Sequence, residues 1–150
     1  MIEVKNEEQM QVFGERLGRL FRGGEVIELV GDVGAGKTTL VRGIARGMDI
    51  DETVQSPSFT ISRLYDAPEG RRLAHYDFYR LDDPGIMKNE LLDTIGTRGT
   101  TVIIEWAGTV ESTLPDDRLT IHILASDESE RELEVTAGGE TSRKIAGALL

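Results

Sequence analysis

Residues 31–38 read GDVGAGKT, a G-x-x-x-x-G-K-[S/T] pattern that needs a buried strand before it and a helix after it. Glycines in such a loop let successive backbone N–H groups turn inward around phosphate oxygens. The following helix adds unpaired N–H groups and the positive end of its dipole. Both flanks have the required character. Val26, Ile27, Leu29 and Val30 make a short apolar run of the buried-strand kind. Leu40, Val41, Ile44, Ala45 and Met48 recur at helical spacing, with Gly47 near the stop. Glu28 interrupts the strand, and nothing in the sequence accounts for it. The chain is expected to bind a nucleoside triphosphate through Asp32, Val33, Gly34, Ala35, Gly36, Lys37, Thr38 and Thr39. Lys37 should reach the outer two phosphates, the Thr38 hydroxyl should hold Mg²⁺, and Thr39 should touch an inner phosphate.

The remainder of the chain alternates helical and strand patterns. Ile2 and Val4 suit a short strand. Met10, Phe13, Leu17, Leu20 and Phe21 follow helical spacing from Glu7 to Phe21, with Asn6 as N-cap and Gly23-Gly24 as terminator. Segments 58–65 and 72–81, with a turn at Asp66–Arg71, read as an antiparallel hairpin or as adjacent strands. Asp83-Pro84 begins a weak helix with Ile86, Met87, Leu91 and Leu92 on one side. Thr101 to Trp106 is a central buried strand. Leu119–Leu124 and Glu132–Val135 form a hairpin around Ser126–Glu130, and a final helix runs from about Thr141 to Leu150. The expectation is an α/β protein with a P-loop NTPase-like three-layer fold, a mixed parallel/antiparallel sheet, and a single domain over residues 1–150.

Composition excludes several classes of chemistry. The absence of cysteine rules out disulfides, zinc-thiolate sites and thiol catalysis. The start MIEVKNEEQ is no signal peptide, and no apolar run is long enough to span a bilayer, so a cytoplasmic location is expected. With 27 acidic and 17 basic residues the net charge is −10. Affinity for nucleic acid rests largely on cations neutralising phosphates, so contact with RNA is expected to go through a protein partner. Arg42, Arg46, Arg63, Arg71 and Arg72 could offer a local basic face near the nucleotide end.

A triphosphate site usually needs a carboxylate at the end of a second buried strand to orient Mg²⁺. Glu105 ends the run Val102-Ile103-Ile104. Asp77 lies in a strand at the phase of His75 and Tyr79. Glu105 is assigned to the metal, and Asp77 to the attacking water or to outer-shell magnesium contacts. Ser56, Ser58 and Thr60 place hydroxyls where other phosphate-loop enzymes keep a loop that senses the γ-phosphate. Trp106 suits either the core or the nucleotide, Arg80 either a phosphate or an acid, and His75 and His122 read as structural.

Taken in order, GDVGAGKTT (31–39), SPSFT (56–60), HYDFYRL (75–81) and IIEW (103–106) resemble the TsaE (YjeE) ATPases of tRNA threonylcarbamoyladenosine biosynthesis. The resemblance runs from about Glu25 to Leu124. Ser58 stands where the family commonly has Thr, and Ala107 where Pro often follows the Glu-Trp pair. The resemblance implies a Mg-dependent ATPase that acts with the TsaD and TsaB proteins to support modification of the adenosine beside the tRNA anticodon. It implies that Lys37, Thr38 and Thr39 hold ATP and metal, that Glu105 is the magnesium carboxylate, that Asp77 belongs to the hydrolytic site, and that Trp106 lies near the nucleotide.

The main rival is a small-molecule or nucleotide kinase, which would carry an arginine-bearing lid; no inserted lid is visible between Asp82 and Thr100. A GTPase is opposed by the lack of an N-K-x-D element, since Asp93 to Gly96 fits D-x-x-G only superficially. A nucleotide-binding module without turnover is the third possibility.

Overall fold

The computed structural model describes residues 1–32, 34–55, 62–79 and 85–149. In chain order these form β1 (Ile2–Val4), α1 (Glu7–Leu20), β2 (Val26–Val30), α2 (Lys37–Gly47), β3 (Ser62–Asp66), β4 (Arg72–Asp77), α3 (Ile86–Ile95), β5 (Thr100–Glu105), β6 (Leu119–Ala125), β7 (Arg131–Ala137) and α4 (Glu140–Leu149). Short 3₁₀ turns lie at Pro68–Gly70, Ala107–Thr109 and Glu111–Thr113. Among the described residues no helix is long and apolar enough to cross a membrane.

The strands form one sheet in the order β1-β7-β6-β2-β5-β4-β3. The β-branched, apolar strands β2 and β5 lie side by side within it, as strands buried on both faces must. β6, β2, β5 and β4 run parallel, and the hairpins β3–β4 and β6–β7, with β1 on β7, add antiparallel edges. Helices α1, α2 and α4 cover one face through Phe13, Leu17, Leu40, Ile44, Ile145 and Leu149. On the other face Leu91 of α3 joins Val110 and Leu114 against Tyr76 and Ile104. The mixed three-layer expectation is met.

Glu28 has a partner that lies 90 residues away. Its Oε1 accepts from Arg118 Nε at 3.0 Å, and Arg118 also donates to the Pro115 carbonyl at 3.0 Å. Buried charge is tolerated when paired and hydrogen-bonded in this way.

The helix that carries the phosphate-loop lysine is held by a backbone-to-backbone contact. Gly14 and Gly18 of α1 face Gly43 and Gly47 of α2. A Cβ at Gly43 would stand 2.3 Å from the Gln11 carbonyl oxygen, and one at Gly47 would stand 2.2 Å from that of Glu15. From the other side, a Cβ at Gly14 would meet the Leu40 carbonyl at 2.6 Å and one at Gly18 the Ile44 carbonyl at 2.2 Å. The ion pair Arg46–Glu15 (3.2 Å) closes the rim.

Some expectations change. β4 stops at Asp77 because its carboxylate accepts the Tyr79 N–H at 2.9 Å and turns the chain. On α3, Leu91 is buried with Met87 and Ile95 against it, whereas Ile86 and Leu92 are exposed. Arg71 and Arg72 stand at the end of the sheet away from the glycine loop. Arg71 donates to the Phe21 carbonyl at 3.1 Å, and Arg72 pairs with Thr100 where β4 and β5 begin. They give the nucleotide end no basic face. The expected starts at residues 58–61 and Asp83-Pro84, and the ends at Leu81 and Leu150, lie outside the described residues.

Gly43→Ala is expected to lower stability by about 2 kcal/mol, because overpacking against backbone outweighs the roughly 1 kcal/mol gained in helix propensity. Gly147→Ala in α4, where a Cβ meets nothing within 4 Å, should instead be neutral or stabilising by up to about 1 kcal/mol. Urea unfolding of both variants measures the contrast.

Candidate functional site

The glycine loop turns by backbone conformations that only glycine adopts readily: Gly34 has φ 81° and Gly36 has φ 108°. A Cβ at Gly34 would meet nothing within 4 Å, so the requirement there is conformational rather than steric. α2 begins at Lys37 with Gly36 as its N-cap, and no side chain caps it. Its first N–H groups are therefore available to an anion. Arg131 of β7 donates through Nε to the Ala35 carbonyl at 3.0 Å and through Nη1 to the Asp127 carbonyl at 2.9 Å. That side chain ties the β6–β7 turn to the loop.

Lys37 is almost fully buried. Its Nζ donates to the Gly31 carbonyl at 2.5 Å and stands 3.9 Å from the centre of the Trp106 ring, a cation–π distance. Burial lowers the Lys37 pKa, while Glu105, Asp77, Asp32 and Tyr79 oppose that shift. Trp106 itself has φ 57° and ψ 51°, a left-handed backbone rarely adopted by a bulky residue. The ring is held on its other contact by Tyr79, with centroids 4.9 Å apart.

The parallel register brings the two carboxylates together. Leu29 of β2 pairs with Glu105 of β5, and Glu105 pairs with Asp77 of β4. Both acids therefore sit at the carboxyl edge of the sheet, where the glycine loop leaves β2. Burial raises the Asp77 pKa; the Tyr79 N–H pulls it back down, Glu105 adds to the rise, and His75 and Lys37 oppose it. His75, fully buried, places Nε2 2.5 Å from Glu105 Oε2. Its Nδ1 has no partner among the described residues, and such an unmet buried polar atom costs on the order of 1–3 kcal/mol.

Two cavities flank the loop. One of about 540 Å³ lies between the start of α1 (Asn6, Glu7, Glu8, Met10), the loop and the β6–β7 turn, and Thr39 lines it. The other, of about 1020 Å³, is bounded by Gly31, Asp32, Trp106, Arg118 and His122.

Lys37, Asp77, Glu105 and Trp106 thus converge. Asp32, Gly34, Ala35, Gly36, Thr38 and Thr39 stand in the loop and the first turn of α2. Val33, Ser56, Ser58, Thr60 and Arg80 lie outside the described residues. Tyr79 and Arg131 were not assigned from sequence; Tyr79 shares a two-residue phase with His75 and Asp77, the one signal that could have singled it out. For Mg²⁺ the donor set fits: a threonine hydroxyl, a buried carboxylate and phosphate oxygens are hard oxygen ligands, and Mg²⁺ commonly takes only one or two from protein.

Comparison with known proteins bears on the family and the fold. A family model described as threonylcarbamoyl adenosine biosynthesis protein TsaE matches residues 4–133. The chain is 36% identical over 135 residues to the tRNA threonylcarbamoyladenosine biosynthesis protein TsaE of Bacillus subtilis (strain 168), across 89% of this chain and 83% of that protein. It is 37% identical over 135 residues to the protein of the same name from Streptomyces coelicolor, across 87% of this chain and 90% of that one. The crystal structure of YdiB from Bacillus subtilis superposes with a TM-score of 0.81 at 32% identity, covering 99% of this chain and 91% of that chain. The P-loop α/β fold expected from the sequence is the observed one.

Asp77 binds its proton more tightly folded than unfolded. Its contribution therefore favours folding below the ordinary carboxylate pKa and is lost as pH rises through the raised folded value. Asp77→Asn keeps an acceptor for the Tyr79 N–H and removes the charge. The variant should melt higher at pH 7 than the native protein, and the gain should vanish below about pH 4. A lower melting temperature at pH 7 would show that neighbouring cations outweigh burial.

Proposed function

This chain belongs to the TsaE family, and from that premise we propose that it is a Mg-dependent ATPase required for threonylcarbamoyl modification of adenosine 37 in tRNA. It works in the cytoplasm on a complex of TsaD and TsaB to support their turnover, and the partners make most of the RNA contact. The observation that carries the ATPase reading is the convergence of Lys37, Asp77 and Glu105 at one sheet edge beside an uncapped helix start.

The residues divide the work by their chemistry. Lys37, stripped of water and resting on a neutral carbonyl, gains strongly when phosphate oxygens replace that partner. The N–H groups of Lys37, Thr38 and Thr39 at the start of α2 receive phosphate oxygens along the dipole. The Thr38 hydroxyl and the Glu105 carboxylate hold Mg²⁺, which supplies charge neutralisation at the outer phosphates. Asp77, raised in pKa by burial, is suited to orient a water or to accept its proton. Trp106 covers Lys37 and keeps bulk water from the site. The 540 Å³ cavity lined by Asn6, Glu7 and Thr39 is the place for the nucleoside.

Intrinsic hydrolysis is slow on this reading, because no arginine among the described residues is assigned to the transferring phosphate, and a supplied arginine finger can be worth about 10³-fold or more. Phosphate release with and without TsaD–TsaB and tRNA tests this. Stimulation by the partners and loss of at least about 100-fold in Lys37→Ala are expected, whereas modified-tRNA yield unaffected by Lys37→Ala would refute the proposal. Phosphate transferred to an added acceptor would instead identify a kinase. Glu105→Gln should weaken Mg²⁺-dependent nucleotide binding more than Asp77→Asn does; the reverse order exchanges their roles.

A further inference from the structure

His75 is a polar side chain on a buried sheet face where its neighbours Leu73 and Ile103 are apolar. It lies on β4 between Leu73 and Asp77, on the sheet face packed against α1 and α2, and is fully buried. Its backbone pairs with Ile103, so its ring reaches along the neighbouring strand to Glu105. One ring nitrogen is used, 2.5 Å from Glu105 Oε2, and the other has no partner among the described residues. A carboxylate only accepts, so Nε2 carries a proton toward Glu105, while Nδ1 is left without a partner among the described residues.

We propose that His75 is the positioning residue for Glu105: its Nε2–H holds Oε2 inside the sheet and leaves Oε1 alone to face the phosphate loop. The inference rests on the reading of Glu105 as the metal carboxylate. A glutamate side chain has three rotatable torsions, and a single buried donor selects the rotamer in which one oxygen is presented. Partners that hold a ligating carboxylate in this way are worth about 10–100-fold in metal affinity. The half-unpaired imidazole is kept for that orientation and not for packing.

Mn²⁺ binding to the ADP complex, followed by electron paramagnetic resonance, tests the proposal alongside ADP affinity in EDTA. His75→Leu should weaken Mn²⁺ binding about 10–100-fold while metal-free ADP affinity stays within about twofold. His75→Gln, whose amide N–H lies near the position of Nε2, should restore most of the loss. His75→Asn, too short to reach Glu105, should behave like His75→Leu and serves if the leucine variant does not fold. Native Mn²⁺ affinity in both His75→Leu and His75→Asn, with a loss in Glu105→Gln, would overturn the positioning role alone. Equal losses in Mn²⁺ and metal-free ADP binding would also overturn it, by showing a general structural effect. Native Mn²⁺ affinity in Glu105→Gln would remove the metal reading of Glu105, and this proposal with it.

Discussion

Everything at the nucleotide end depends on how closely α1 and α2 can approach. Four glycines let the two backbones meet without side chains between them, with carbonyls of Gln11, Glu15, Leu40 and Ile44 filling the places where Cβ atoms would stand. Packing of this kind leaves little freedom to slide, because each carbonyl occupies the notch of one glycine. The axial position of α2 is fixed by that contact, and with it the height of Lys37 over the sheet edge. The same contact sets the start of α1 beside the glycine loop, so Asn6 both caps its own helix, accepting the Gln9 N–H at 2.9 Å, and lines the cavity next to Thr39.

On this rigid base the protein gathers groups that resist burial. Lys37, Asp77, Glu105 and His75 are all largely withdrawn from water, and burial shifts the first two in opposite directions, each toward its neutral form. No one pairing satisfies the set. The cation rests on a neutral carbonyl and an aromatic face, Asp77 is pushed by Glu105, and the imidazole keeps one nitrogen unmet. The apolar layers on both faces of β2, β4 and β5 offset that cost. A polyanion with its cation would relieve much of it, which is a physical reason for a site to be built unrelaxed.

The strand–loop–helix unit was legible because it is local: the apolar run from Val26, the glycines and the helical repeat after Lys37 lie within a few turns of chain. Glu105 was legible for the same reason, as the polar end of an apolar strand. Contacts between distant segments left no such trace. The Glu28–Arg118 pair joins residues 90 apart, so Glu28 looked like an unexplained break. The spacing Gly14 to Gly18 and Gly43 to Gly47 is visible in the sequence, yet its meaning appears only when the two helices face each other. His75 read as structural because strand phase shows which face a residue takes and not which atom it touches. The apolar stripe assigned to α3 overreached, because Ile86 and Leu92 obey the helical period without being covered.

Trp106 is the only tryptophan in the chain, and its ring contacts both the Lys37 ammonium and the Tyr79 phenol ring. Indole emission is sensitive to a charge close to the ring face and to access by water. On the proposed function Lys37 exchanges the Gly31 carbonyl for a phosphate, and the charge over the indole moves. The protein therefore carries its own optical probe at the site, with no background from a second fluorophore of that kind and no label to perturb it.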